Sequence, residues 1–158
     1  MRVGLGYDIH RLVEGRKLFL GGVEIPYIKG LDGYSDADVL LHAVCDAILG
    51  AMGKEDIGIH FPNNDPEFKG ISSIELLHRV SDLARRDGFR IVNVDSTLIM
   101  EEPKILPFKA KMRKTMASVL AIDESRVNIK ATTQEGVGSI GRGEAIAAYA
   151  VASVEETK

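Results

Sequence analysis

The 158-residue sequence has little cysteine, no long apolar run and no excess of positive charge, and each shortage argues against a class of protein. Its one cysteine, Cys45, cannot form an internal disulfide, which argues against a disulfide-stabilised secreted fold and favours a reducing compartment. A membrane span is not expected, because no stretch of about 18 apolar residues occurs. The first residues lack the charged and apolar regions of a signal peptide. We therefore expect a cytoplasmic protein.

The charge balance and the composition are ordinary for a globular domain. A formal net charge of −3 at pH 7 does not favour general binding to nucleic acid. Hydrophobic residues make up 45% of the chain and charged residues 27%, which is enough apolar surface for a buried core. A chain of this length favours one domain, which we place over residues 1–158.

The pattern of apolar residues predicts a layered α/β or α+β fold. Strands are predicted at residues 2–10, 89–100, 126–133 and 145–154, and helices at 36–52, 73–87 and 104–121. Two short apolar runs around Gly21-Gly22 predict a small hairpin, and residues 26–34 are predicted to form a loop. We therefore expect a single-layer mixed sheet of about four main strands, with helices packed on one face, plus this hairpin.

Asp8 and His10 are the first candidate metal ligands. On a strand, residues two apart point to the same side, so both side chains leave one face. Carboxylate oxygen and imidazole nitrogen are common zinc donors, and His42 in the first predicted helix is the best candidate for a third. Three protein ligands leave one position open, as in catalytic zinc sites. The alternative is a chance Asp-x-His pair beside a structural histidine.

A polar stripe on the first predicted helix strengthens the case for His42. Asp38, His42 and Asp46 recur every fourth residue on a helix that is otherwise apolar. Burying such a stripe without partners is unfavourable. A metal bound by His42, with the neighbouring carboxylates orienting its ring, would provide partners. Ser35 is predicted to cap this helix, with Asp38 in a capping-box-like position.

Two segments rich in glycine or proline have both a functional and a structural interpretation. In residues 132–144, Thr132, Thr133 and backbone N–H groups could surround an anion, and Glu135 could hold a hard cation such as magnesium. The alternative is a simple glycine-rich bend, and no P-loop pattern is present. Residues 54–70 are predicted to lack regular structure and to form either a functional loop or a connector.

Several motifs occur in a characteristic order over nearly the whole chain. They include Gly6-Tyr7-Asp8-Ile9-His10, Ser35-Asp36-Ala37-Asp38, Asp56-Ile57-Gly58, Lys130-Ala131-Thr132-Thr133 and Gly141-Arg142-Gly143-Glu144. In this order and spacing the sequence resembles the 2-C-methyl-D-erythritol 2,4-cyclodiphosphate synthases of the non-mevalonate isoprenoid pathway. The resemblance implies a metal-dependent lyase that cyclises 4-diphosphocytidyl-2-C-methyl-D-erythritol 2-phosphate and releases CMP.

The resemblance also implies a role for each matching residue. Zinc would be bound by Asp8, His10 and His42, and magnesium or manganese by Glu135, which with Thr133 faces the diphosphate. Ser35 would lie near the erythritol phosphate, Asn63 at the erythritol hydroxyls, and Asp56 and Gly58 at the ribose. The residues implied around the cytosine are Met100, Lys104, Ile105, Leu106 and Ala131. Thr132 is a further implied substrate contact. Because the attacking phosphate is already anionic, no side-chain base is required, in keeping with the lack of a Ser/His/Asp or Cys/His arrangement.

The family is a homotrimer with active sites between subunits, and the resemblance implies the same here. Arg142 would line a central cavity that holds an isoprenoid diphosphate in some members. The chain departs from the family pattern in three places. Tyr34 replaces a common histidine, Asn63 a common aspartate and Gly136 a common lysine, which affects the expected lid and diol contacts.

Two other classes of protein fit part of the pattern. A non-haem iron oxygenase also uses two histidines and one carboxylate, and tetrahedral zinc would distinguish the synthase from it. A non-enzymatic trimer could bind an isoprenoid diphosphate through Arg142. If the protein failed to release CMP from the diphosphocytidyl substrate, this non-enzymatic alternative would be favoured.

Overall fold

The computed structural model describes residues 1–157 and contains seven strands and five α-helices within them. In chain order they are β1 (Arg2–Glu14), β2 (Leu18–Leu20), β3 (Val23–Ile25), β4 (Lys29–Leu31), α1 (Val39–Ala51), α2 (Ile57–His60), α3 (Ser73–Arg86), β5 (Phe89–Ile99), α4 (Lys109–Leu120), β6 (Val127–Thr132), α5 (Gly138–Gly141) and β7 (Ala145–Glu156). No helix in this described part of the chain is long and apolar enough to cross a bilayer.

Five of the strands form one mixed sheet in the order β4-β1-β7-β5-β6. Only β5 and β6 run parallel, and the other neighbours are antiparallel. The predicted fold is confirmed: the four main strands are in one mixed sheet, which the short strand β4 extends, and β2 pairs with β3 in a separate hairpin. The loop predicted at 26–34 is partly wrong, because β4 pairs there with the end of β1, which runs to Glu14. That pairing is between distant segments and leaves no local sequence signal.

Helix α1 lies directly on β1 because two glycines leave no side chain between them. A Cβ atom on Gly6 would lie 1.8 Å from the carbonyl oxygen of Ala43, and Gly4 is as tightly confined by the helix backbone. Side chains alternate along a strand, so Asp8 and His10 leave β1 on this same face. The close contact therefore places both side chains beside α1.

The face of β1 and β7 that points away from α1 is apolar and exposed. This apolar sheet face consists of Val3, Leu5, Tyr7, Ile9, Tyr149 and Val151, each at least 40% exposed. Tyr7 and Tyr149 are cross-strand partners with ring centroids 4.7 Å apart. Water-facing sheet surfaces are normally polar, and a contiguous apolar patch marks an interaction surface.

Helix α1 begins later than predicted. It starts at Val39, and Asp38 rather than Ser35 is its cap: the Asp38 side chain accepts the N–H of Leu41 at 3.1 Å. Ala37 has a φ angle of +56°, in the left-handed region, so a right-handed helix cannot continue back through it. The prediction that Ser35 caps the helix was therefore wrong.

Two other local predictions were wrong for reasons of turn chemistry. Helix α4 starts at Lys109 rather than 104, because a helix from 104 would need a backbone N–H from Pro107, which has none. The segment 54–70 contains α2 and a 3₁₀ turn at Pro66–Phe68. Each of these short elements is capped by an aspartate side chain, which supplies the acceptor that so short a helix lacks.

Candidate active site

Three side chains from β1 and α1 converge on one point. Asp8 Oδ2 lies 2.9 Å from His10 Nε2 and 2.9 Å from His42 Nδ1, and the two nitrogens are 3.2 Å apart. Within residues 1–157, this is the one group of three or more His, Cys, Asp or Glu side chains whose ligand atoms all lie within 4.8 Å. One oxygen and two nitrogen donors, with room for a fourth ligand, are the donor set of a catalytic zinc site.

The remaining nitrogen of each imidazole has a hydrogen-bond partner. His10 Nδ1 donates to the backbone carbonyl of Asp32 at 2.6 Å. His42 Nε2 lies 2.9 Å from Ser73 Oγ. Such partners fix a ring and leave its other nitrogen available to a metal. The triad is therefore oriented as a ligand set.

The two aspartates of the polar stripe have different roles from those predicted. Asp38 is fully buried and accepts the N–H groups of both glycines in the β2–β3 turn, at 3.0 and 2.7 Å. Asp46 accepts the N–H of Ile57 at 2.9 Å and so fixes the start of α2. Neither carboxylate bonds to the His42 ring. The prediction that they orient it was wrong, and the carboxylate that reaches the ring, through Ser73, is Asp36.

Arg16 fixes the segment that borders both histidines. Its guanidinium donates to the carbonyl oxygens of Gly33 at 2.9 Å and Ser35 at 2.7 Å. Asp32, whose carbonyl holds His10, begins the same segment. Sequence reasoning missed Arg16 because an arginine after a strand matches no motif, and its two hydrogen-bond acceptors are backbone carbonyls that any residue could supply.

The triad has a strongly polarised electrostatic environment. Burial alone would raise the pKa of Asp8, but its close contacts with the His10 and His42 rings outweigh burial and lower that pKa to about 2. Burial alone would lower the pKa of His10, but its hydrogen bond to Asp8 and the charge of that carboxylate raise it. The geometry therefore favours an ionised carboxylate facing a ring that must lose its proton before it binds a metal.

The triad lies in a cavity of about 210 Å³, which we call the metal cavity. The sequence-predicted site residues that line it are Asp8, His10, Ser35, His42, Gly58 and Asn63. Asp56 does not line it, but its carboxylate accepts the N–H of Gly58, which does, at 2.8 Å. Tyr34 lines the cavity and donates its hydroxyl to the carbonyl of Asp65 at 3.2 Å, which ties two loops of the wall together.

A second cavity, of about 330 Å³, lies at the ends of β5 and β6 and is called the distal cavity here. The predicted site residues that line it are Met100, Lys104, Ile105, Leu106, Ala131, Thr132 and Thr133. It shares no lining residue with the metal cavity. Because β7 lies between β1 and β5, the strands that carry the two groups are at least about 10 Å apart. One chain thus holds the predicted site residues in two separate groups.

Glu135 and Arg142 line neither of these cavities. Glu135 has a φ angle of +52°, and its carboxylate accepts the Thr133 hydroxyl at 3.0 Å. Arg142 forms a two-contact ion pair with Glu144, at 2.7 and 3.2 Å. The glycine-rich segment between them contains the four-residue helix α5 and is not a simple bend.

Comparisons with known proteins match nearly the whole chain. The YgbB family model matches residues 1–155. The 2-C-methyl-D-erythritol 2,4-cyclodiphosphate synthase of Pelotomaculum thermopropionicum is 60% identical over 157 residues, which cover 99% of this chain and 97% of that protein. The structure of the bifunctional IspDF of Campylobacter jejuni superposes with a TM-score of 0.95 at 41% identity, over 99% of this chain and 42% of that one. A CDP complex of Plasmodium falciparum IspF gives a TM-score of 0.86 at 36% identity, over 99% and 97% of the two chains.

Proposed function

The chain belongs to the YgbB family of 2-C-methyl-D-erythritol 2,4-cyclodiphosphate synthases, and from this premise we propose which residues carry each part of the reaction. The enzyme is a phosphorus–oxygen lyase that converts 4-diphosphocytidyl-2-C-methyl-D-erythritol 2-phosphate into the 2,4-cyclodiphosphate and CMP. An oxygen of the 2-phosphate bonds to the β-phosphorus, and the bond from that phosphorus to the bridging oxygen breaks, so that CMP leaves. This identity decides against the iron oxygenase and the non-enzymatic trimer.

Asp8, His10 and His42 are proposed to hold the metal on which the reaction depends, with zinc as the ion. The support is the convergence of their three donor atoms and the fixed partners of both rings. A zinc ion bound there would polarise a diphosphate oxygen and offset the charge that develops at phosphorus. The protein itself must hold two phosphate groups that repel each other in line, which is mainly a matter of positioning.

Glu135 is proposed to hold a second cation, magnesium or manganese, that neutralises diphosphate charge. Within residues 1–157 Glu135 belongs to no group of three protein ligands, so substrate phosphates and water would complete the coordination shell, as magnesium favours. Thr133 lies beside it and offers a hydroxyl to the same diphosphate. The exposed left-handed conformation of Glu135 supports this role, since a non-glycine residue held there typically serves a site.

Substrate contacts are proposed for both cavities. In the metal cavity, the Ser35 hydroxyl and the Asn63 amide face the space for the erythritol phosphate and hydroxyls, with Asp56 and Gly58 at the ribose. In the distal cavity, the residues proposed to contact the cytosine are Met100, Lys104, Ile105, Leu106, Ala131 and Thr132. A cytidine-nucleotide substrate is indicated by the CDP complexes of related proteins.

The active unit is proposed to be a homotrimer with each active site between two subunits. Two observations support it: the apolar sheet face has no cover within one chain, and the predicted substrate contacts divide between two separate cavities. Packing three such faces around an axis would bury them. Arg142 would then be available to an isoprenoid diphosphate near the axis, which would compete with the Glu144 carboxylate of the same chain for the guanidinium.

Residues 1–158 are proposed to form one synthase domain, located in the cytoplasm. The hydrophobic core joins residues from all the long strands and from α1, α3 and α4, which supports one domain. The thiol of Cys45 is buried and unpaired, as in proteins of a reducing compartment.

One experiment tests the metal and substrate assignments together. The purified protein, stripped with a chelator, is incubated with the diphosphocytidyl substrate, and CMP and the cyclic product are measured before and after zinc is restored. The expected result is no product until zinc is added, with full turnover needing magnesium as well. Full activity in the stripped protein would contradict the metal assignment.

A further inference from the structure

Ser73 connects the His42 ring to the carboxylate of Asp36, a motif residue with no predicted role. Ser73 is the first residue of α3 and is fully buried. Its hydroxyl lies 2.9 Å from His42 Nε2 on one side and 2.5 Å from Asp36 Oδ1 on the other. The backbone N–H of Ser73 also donates to Asp36 Oδ2, at 3.0 Å. Two segments distant in sequence, the start of α3 and the region from Asp36 to His42, therefore meet behind the ring.

The direction of each hydrogen bond follows from which groups carry protons. An ionised carboxylate only accepts, so the Ser73 hydroxyl donates its one proton to Asp36. The hydroxyl oxygen can then only accept from His42 Nε2, which must carry a proton. In a neutral imidazole this leaves the lone pair on Nδ1, the nitrogen that faces Asp8.

Ser35 fits the same assignment. Its hydroxyl oxygen lies 3.2 Å from His42 Nε2 and accepts the N–H of Ala37 at 3.0 Å. A protonated Nε2 cannot accept the Ser35 proton. That proton is consequently free to point into the metal cavity, where it can serve an anionic ligand.

We propose that Ser73 and Asp36 are positioning residues that hold His42 in the one tautomer able to bind a metal through Nδ1. This proposal rests on the assignment of Asp8, His10 and His42 as the metal ligands. A partner of this kind typically changes metal affinity by about 10- to 100-fold, because it fixes the ring and makes the ligating nitrogen more basic. Ser73 is fully buried and does not line the metal cavity, so its effect passes through the ring.

The test compares Ser73→Ala with Ser81→Ala, a change of another buried serine on the same helix. Zinc affinity is measured by competition with a chromogenic chelator, and unfolding in urea is measured in the metal-free proteins. Ser73→Ala is expected to raise the zinc Kd by about 10- to 100-fold. Ser81→Ala is expected to leave it unchanged, even if both variants lose similar stability. Equal zinc affinity in the two variants would overturn the proposal.

A measurement on the unaltered protein covers the case in which Ser73→Ala fails to fold. Nitrogen-15 NMR of the metal-free protein, at a pH where the rings are neutral, reports the tautomer of each histidine without a metal to impose it. The proposal requires a proton on Nε2 of His42, protected from solvent exchange, and a proton on Nδ1 would refute it. Zinc bound by the wild type and lost in His42→Ala supports the ligand assignment independently. If His42→Ala keeps zinc, the ligand assignment fails as well.

Discussion

Gly6→Ala should greatly weaken metal binding although residue 6 is not a proposed ligand. The new Cβ would lie 1.8 Å from the carbonyl oxygen of Ala43, which is backbone and cannot rotate away. From 1.8 Å to an ordinary contact of 3.4 Å, the strand and helix must separate by about 1.6 Å. His42, one residue before Ala43, would move away from Asp8 and His10 with the helix.

The expected loss of zinc affinity follows from how little the ligand distances of a metal site can vary. Ligand distances at a bound metal hold to within about 0.2 Å, so a separation of this size removes one of three ligands. A lost ligand is worth several kcal/mol, and each 1.4 kcal/mol is tenfold, so we expect the zinc Kd to rise by at least about 100-fold. Overpacking at the strand–helix contact should also lower the free energy of unfolding by about 1–3 kcal/mol.

The assay pairs chelator competition for zinc with urea unfolding, and Gly50→Ala is the matched control. Gly50 is on α1, and a Cβ there would find its nearest neighbour at 3.9 Å, in ordinary contact. The control should bind zinc normally and gain about 0.5–1 kcal/mol in stability, because alanine favours a helix more than glycine does. Wild-type zinc affinity in Gly6→Ala would show that the close contact does not set the ligand geometry.

Three further predictions concern the cations, pH and assembly. Glu135→Gln should keep zinc but need far more magnesium, because a neutral amide is a weaker ligand for a hard cation, and an unchanged magnesium titration would remove Glu135 from the site. The pKa of His10 is raised, so the metal-free ring gains a proton as the pH falls through that pKa. Because the proton competes with zinc, the zinc Kd should rise by about tenfold for each pH unit below the pKa. A Kd that stays constant between about pH 8 and pH 5 would contradict this proton competition. If active sites lie between subunits, co-expressed His42→Ala and Lys104→Glu chains should form mixed trimers with roughly a quarter of sites intact. Mass spectrometry would confirm mixing, and activity no higher than in either parent would assign both halves of the site to one chain.

Local pattern explains why most of the fold was predictable. The long strands β5, β6 and β7 and helix α3 lie within two residues of their predicted bounds, because apolar periodicity and capping residues are properties of neighbouring positions. The errors occur where one local rule competes with another. Asp38 rather than Ser35 caps α1 because Ala37 adopts a left-handed conformation, and the sequence does not display that conformation.

The sequence by itself determined the family and identified Asp8, His10 and His42 as candidate ligands, because they stand at informative spacings within specific motifs. Only the tertiary structure decided how those ligands are held. Ser73 follows Asp36 by 37 positions and His42 by 31, so their hydrogen bonds exist only once α3 packs against α1. A side chain's chemical type is local information, but its partner and direction are set by packing between distant segments, and a metal site depends on both.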